Sequence, residues 1–167
     1  DAIARALAGK AQAVFITGPA GTGKSTVLRS IAARLRGKAV VVAPTGVAAL
    51  NAGGETLHSF FGLPPRYLDP QDADAVQLFP LNSRRRRTMQ NMEALIIDEV
   101  SMVRADLLDA VDRCLRLNLE QPRRPFGGKR VVLVGDPYQL EPVVAEAPVR
   151  AEIERHWGTA FFFSSRV

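Results

Sequence analysis

The sequence predicts an α/β fold in which a mostly parallel sheet carries helices on both faces, and three observations predict it. Short apolar runs at 14–17, 38–43, 93–97 and 130–135 alternate with segments of helical periodicity, the order that a repeated strand and helix unit produces. The interiors of these runs are apolar without polar alternation, as strands covered from both sides must be. Between the first run and the first helical segment stands Gly18-Pro19-Ala20-Gly21-Thr22-Gly23-Lys24-Ser25, which satisfies G-x-x-x-x-G-K-[ST] and continues into Thr26.

Each element has its own local reason. Residues 2–8 read as a short helix beside the first strand, Val14-Phe15-Ile16-Thr17. Val27, Leu28, Ile31 and Leu35 then recur at helical spacing over 26–35. Residues 38–43 form a β-branched run bounded by Gly37 and Pro44, a second buried strand. A loop or helix start follows at 44–50, and Asn51-Ala52-Gly53-Gly54 breaks the chain. Four prolines and three aspartates in 63–82 predict an irregular surface excursion. The third strand, 93–97, ends in Asp98-Glu99, and 104–118 has an amphipathic helical pattern. A fourth strand at 130–135 runs into Asp136, a helix is predicted at 149–157, and Thr159-Ala160-Phe161-Phe162-Phe163 reads as a fifth strand. A chain of 167 residues suits one such domain with a real core, so 1–167 is expected to be a single domain. With no initiator Met, it is expected to be a fragment of a longer protein.

Composition narrows the function classes. No apolar run is long enough to cross a bilayer, and the first residues lack the basic start and cleavage pattern of a signal peptide. The expectation is an intracellular protein with no membrane partner: cytoplasmic if bacterial, nuclear or mitochondrial if eukaryotic. A single Cys114 excludes an internal disulfide and any multi-cysteine metal site, and its place among Leu108, Val111 and Leu115 is that of a small buried hydrophobe. The net charge of +5 favours a polyanionic partner without establishing one.

The chemistry gathers at the strand ends. Glycines in the loop let main-chain N–H groups approach phosphate oxygens, and the following helix directs its positive dipole end at the same anion. Gly18, Pro19, Ala20, Gly21, Thr22, Gly23, Lys24, Ser25 and Thr26 are therefore the candidate ATP-binding residues. Lys24 would reach the β- and γ-phosphates, and the Ser25 hydroxyl would hold Mg²⁺. In an open α/β sheet a ligand sits outside the carboxyl ends of the strands, which brings Asp98-Glu99 and 135–139 to the same place. Asp98 is the expected second support for Mg²⁺, and Glu99 is placed to orient and deprotonate an attacking water, a pairing that favours hydrolysis over transfer to an acceptor hydroxyl. Gln139 carries an amide able to bond both a γ-phosphate and a water, or it is a turn residue beside Pro137.

These residues resemble the first RecA-like motor domain of the Pif-type superfamily 1B DNA helicases, relatives of RecD. The matching stretches are 15–26, Ala43-Pro44-Thr45-Gly46-Val47-Ala48-Ala49, Thr56-Leu57-His58-Ser59-Phe60, Ile96-Ile97-Asp98-Glu99-Val100-Ser101-Met102 and Gly135-Asp136-Pro137-Tyr138-Gln139-Leu140, in the family's order. The resemblance implies a five-stranded sheet of order 5-1-4-3-2. It implies ATP-driven 5′ to 3′ translocation on single-stranded DNA, with duplex unwinding, in genome maintenance: repair, recombination and telomere maintenance. It assigns Lys24, Glu99 and Gln139 to catalysis and Ser25 and Asp98 to the metal. Pro44, Thr45, Gly46, Thr56 and His58 take the DNA backbone, to which hydroxyl and main-chain N–H groups after a strand are suited. Two departures are that Pro137-Tyr138 stand where the family usually has two aromatics, and Glu141-Pro142 where it has Pro-Pro.

A second motor domain of the same chain, with its arginines, is implied, and the protein is expected to act as a monomer. Because an arginine finger is worth about 10³ to 10⁵ in turnover, the isolated fragment is expected to be nearly inactive. Two other functions compete: a nucleotide-switched nucleic-acid-binding module, and a P-loop kinase, against which Asp98-Glu99 with Gln139 argues. The run Arg84-Arg85-Arg86-Arg87 reads as a solvated face on the sheet's flank.

Overall fold

A computed structural model describes residues 11–167 of the chain. Five parallel strands, β1 (Ala13–Thr17), β2 (Ala39–Ala43), β3 (Glu55–Thr56), β4 (Ala94–Ile97) and β5 (Arg130–Gly135), form one sheet of order β1-β5-β4-β2-β3. Among the described residues six α-helices accompany them: α1 (Lys24–Arg34), α2 (Gly46–Ala52), α3 (Leu57–Phe61), α4 (Arg84–Asn91), α5 (Ala105–Asn118) and α6 (Ala147–Trp157). The helix expected at 2–8 lies outside the described residues.

Period-two alternation in the central strands divides the core. Ile96, Val132 and Val134 face α1 and bury Leu28 and Ile31. Leu95, Ile97 and Val131 face the other way, into the larger cluster shared with α3, α4 and α5. Cys114 is buried in that second cluster, and burial pushes its thiol up to about 12, as befits an inert packing residue.

Three expectations are corrected. The four strands that carry the chemistry keep the expected neighbours, but the fifth strand is not 159–163. Residues Phe162–Ser164 make a 3-10 turn, joined to the fold by one antiparallel bridge between Arg104 and Phe161. The fifth strand is instead β3, on the opposite edge beside β2. A run of aromatics favours extended backbone only where a neighbouring edge is available; here Phe162 is buried in the main core and meets Phe15 edge-on at 5.4 Å. The excursion over 63–82 is irregular, yet Leu63, Leu68, Ala75 and Phe79 are buried, so it is a wall of the core and not only surface. Its backbone is held from α5, where Asn118 Oδ1 accepts Phe79 N–H at 2.9 Å and buried Asp106 accepts Leu68 N–H at 3.0 Å.

The arginine run is the third correction. It opens α4 behind an N-cap at Ser83, whose hydroxyl accepts Arg86 N–H at 3.2 Å. Arg86 is buried and donates to Asn118 O, Phe79 O and the Glu120 carboxylate at 3.0, 3.1 and 2.7 Å. It is a structural clip, and only its neighbours face solvent.

Candidate nucleotide site and nucleic-acid face

The parallel register brings the site together. Thr17 pairs with Gly135 and Ile97 with Leu133, so Gly18, Asp136 and Asp98 leave the sheet at the carboxyl ends of β1, β5 and β4. With strands about 4.8 Å apart, β1 and β4 are separated by about 10 Å, a gap that one lysine side chain can span.

The loop's shape comes from its glycines. Gly21 and Gly23 have φ of 77° and 86°, the left-handed region where a side chain is strained. Gly23 is also the N-cap of α1 and has no side chain to satisfy the helix's first N–H groups. Thr22 closes the turn through its hydroxyl, which donates to Pro19 O at 2.7 Å. Lys24 Nζ donates to Gly18 O at 2.5 Å and Pro19 O at 2.9 Å, so the ammonium is held over its own loop. Ser25 is exposed on the first turn of α1.

Asp98 and Glu99 are half-buried beyond β4. Burial raises the Asp98 carboxyl above its ordinary range, opposed by its bond from Glu99 N–H at 2.9 Å and by the Lys24 charge. Burial also raises the Glu99 carboxyl, helped by Asp98 and Asp136 and opposed by Lys24. The four charges therefore share one electrostatic site. Glu99 has φ of 49° and ψ of 42°, a left-handed conformation that costs a non-glycine residue about 1–2 kcal/mol. It is over-determined by the 3-10 turn Val100–Met102, in which Met102 N–H donates to Glu99 O at 3.0 Å. Backbone strain of this kind collects at functional sites.

Asp136 lies in the 135–139 segment expected at this site, but pattern reading gave it no role. It is buried, lies close enough to Glu99 to affect its proton, and accepts Tyr138 N–H at 3.0 Å. The available signal was a carboxylate ending an apolar strand, as Asp98 does. Gln139 is exposed in the turn that follows, its N–H bonded to Asp136 O at 3.1 Å, and Tyr138 beside it is 95% exposed.

Motif residues on the other side of the sheet share this edge. Ala43 pairs with Thr56, so Pro44, Thr45 and Gly46 leave β2 next to where Thr56 leaves β3. Both threonines are N-caps: Thr45 Oγ1 accepts Ala48 N–H at 3.2 Å, and Thr56 Oγ1 accepts Ser59 N–H at 3.1 Å. Accepting these bonds leaves each hydroxyl proton available to an external oxygen. His58 is half-buried, and burial, then the Arg104 charge, lower its pKa while Asp106 opposes them.

A phosphate loop closing on the first strand of a parallel sheet, with a lysine and two carboxylates at the neighbouring strand ends, defines a P-loop nucleotide-binding domain of RecA-like architecture. The PIF1-like helicase family model matches residues 1–157. The chain belongs to the PIF1-like helicase family.

It is 42% identical over 137 residues to the ATP-dependent DNA helicase PIF1 of Homo sapiens, covering 80% of this chain and 20% of that protein. To the Emericella nidulans protein of the same name it is 40% identical over 149 residues, 84% of this chain and 20% of the relative. The chain thus spans about a fifth of these curated relatives. Among solved structures, the Bacteroides Pif1 helicase in complex with ADP-AlF3 and ssDNA matches with a TM-score of 0.84 at 42% identity, over 95% of this chain and 36% of that one. The Candida albicans Pif1 helicase matches with a TM-score of 0.69 at 36% identity, over 92% and 33%.

Proposed function

We propose that this chain is the first motor domain, and the ATP-binding half, of a longer 5′ to 3′ DNA helicase. The observation that carries the reading is the meeting of Lys24, Asp98 and Glu99 at the carboxyl ends of β1 and β4. Main-chain N–H groups of 18–26 and the Lys24 ammonium take the phosphates of ATP, the ammonium exchanging its loop carbonyls for phosphate oxygens. The relative solved with ADP-AlF3 and ssDNA supports both ligand classes.

A hydroxyl at Ser25 and a carboxylate at Asp98 are the hard oxygen donors that suit Mg²⁺, a cation that keeps most of its shell as water and phosphate. Among the described residues no group of three or more His, Cys, Asp or Glu would claim a different ion. When bound, Mg²⁺ offsets charge on the β- and γ-phosphates. Glu99 holds the attacking water and takes its proton as the new P–O bond forms and ADP leaves. The raised Glu99 pKa moves it toward the range where a carboxylate works as a base. Gln139 reads the γ-phosphate from the exposed turn after β5. Pro44, Thr45, Gly46, Thr56 and His58 hold successive phosphates of single-stranded DNA along the β2 and β3 ends. A DNA substrate places this work inside the cell, in the cytoplasm of a bacterium or the nucleus or mitochondrion of a eukaryote.

ATP turnover by the full-length protein tests the reading. Single-stranded DNA should stimulate it strongly, and Lys24→Ala should abolish it without unfolding the protein. A kinase would show no stimulation, and a passive switch little turnover; either result overturns the proposal. The polypeptide 1–167 alone should hydrolyse ATP hardly at all, since turnover needs arginines supplied from outside this domain, worth about 10³ to 10⁵.

A further inference from the structure

At the opposite end of β2 from the DNA-facing residues, a groove runs between the sheet edge and α4. β3 pairs with β2 only at Val42 and Ala43, because the chain reaches β3 through a left-handed Gly53 and crosses the edge at Gly54. A Cβ at Gly54 would stand 2.1 Å from the Val41 carbonyl oxygen, so only glycine can pass there. Below this crossing the edge is open. Lys38 and Val42 turn their carbonyls to the β4 side, accepting Glu93 N–H at 2.7 Å and Asp98 N–H at 2.9 Å. By strand alternation Ala39 and Val41 turn theirs outward; that of Val41 is covered by the crossing at Gly54, and that of Ala39 is open. Among the described residues no strand runs beside Ala39 on that side.

The opening is a cavity of about 670 Å³ whose lining includes Val40, Val41, Phe79, Arg84 and Arg85. A second cavity of about 610 Å³ shares Val40 and Arg84 and continues past Ala39 to Arg87. The arginine run thus splits by task. Arg86 is the clip described above, Arg85 lies over the Phe79 ring at 4.9 Å, and Arg84 and Arg87 are exposed along the groove. Arg87 spends one donor on Asn82 O at 2.6 Å, and five per guanidinium leave most of the others free.

The geometry points to an extended acidic segment of a partner protein pairing with the free edge of β2 at Ala39, with its carboxylates on Arg84, Arg85 and Arg87. Charge complementarity chooses the occupant: Arg84, Arg85 and Arg87 line the two cavities, whose one lining carboxylate is Glu55, while the lining Lys38 is already bonded to Glu93 at 2.7 Å. A peptide is favoured over a nucleic acid for two reasons. Outward N–H and C=O groups of an edge strand pair with a backbone of the same kind. The groove also offers no exposed ring on which bases would stack, since Phe60 and Phe79 are buried.

The test selects displayed random twelve-residue peptides on the full-length protein and measures the winners by fluorescence anisotropy. Enrichment of acidic sequences is expected, with affinity falling at least about tenfold in Arg84→Glu/Arg87→Glu as charge-assisted bonds are lost. A similar fall is expected in Ala39→Pro, which removes an outward N–H at a strand's first residue, where proline is tolerated. Unfolding curves show whether each variant is folded, and the arginine pair, being surface residues, keeps the test valid if the proline variant is not. DNA-stimulated ATP turnover should be unchanged in the arginine variant. Three results would overturn the proposal: no acidic enrichment, peptide binding indifferent to the arginine pair, or arginine-dependent binding shown only by a twelve-residue oligo(dT).

Discussion

The two faces of the sheet are covered unequally. Toward α1 the described buried cluster is five residues, Leu28, Ile31, Ile96, Val132 and Val134; toward α3, α4 and α5 it is twenty-three. The large face is also tied by buried polar clips: Asp106 to Leu68 and Arg104, Asp112 to Phe126 and Arg116, Asn118 to Phe79 and Gln77, and Arg86 to Asn118 and Glu120. The small face ends in the phosphate loop, whose bonds are internal and easily exchanged. Stability is concentrated on one side and exchangeable contacts on the other, so the two can be perturbed separately.

The strongest test of that division is Asp106→Ala. The carboxylate is fully buried and takes Arg104 at 2.8 Å and Leu68 N–H at 3.0 Å. Removing it leaves the Leu68 amide without a partner and the Arg104 cation with only the Arg66 carbonyl at 3.0 Å, and should cost about 3–5 kcal/mol, read from the urea midpoint, with nucleotide affinity of the remaining folded protein unchanged. Truncation of the core gives the next comparison. Leu95→Ala on the large face and Leu28→Ala on the small one should each cost about 2–5 kcal/mol, the first more than the second. A reversed order in chemical unfolding would mean that cluster size does not locate stability.

At the site itself the sign should invert. Glu99→Gly relieves a left-handed glutamate and should leave the protein more stable by about 0.5–1 kcal/mol, after the entropy that glycine loses on folding. The same change should cost about 10²–10⁴ in ATP turnover by the full-length protein. A thermal melt at lower temperature than the parent's would show that the conformation is not strained. The smallest effect concerns pH. Burial raises the Asp98 carboxyl in the folded state, so protonation favours folding: that gain is complete below the ordinary carboxylate range and is lost as pH rises through the raised folded value. Asp98→Asn removes the charge and keeps an oxygen for Glu99 N–H. Its melting temperature should exceed the parent's at neutral pH, and the difference should shrink toward about pH 4.

Legibility followed the range of the interaction. The phosphate loop and the strand before it were readable because eight consecutive residues carry the pattern, and Asp98-Glu99 because an apolar strand leads into it. Residues 159–163 read as a strand, yet their aromatic run serves a 3-10 turn when Phe162 is drawn into the core beside Phe15. The prolines at 64, 65, 70 and 80 announced irregular backbone but not the burial of Leu68 and Phe79, which depends on Asp106 and Asn118 some forty residues away. Nothing local in four consecutive arginines tells which one turns inward.

By itself the amino-acid sequence determined the alternation of strands and helices, the phosphate loop with its following helix, and the family to which the chain belongs. Those properties rest on backbone preferences and side-chain periodicity within a turn or a strand. Tertiary structure alone decided which edge received the fifth strand, that Arg86 is a clip while Arg84 and Arg87 line a groove, and that Asp136 is buried beside Glu99 and tied to Tyr138. Each of these depends on groups far apart in the chain meeting in three dimensions, where burial and charge act through distance and not through sequence order.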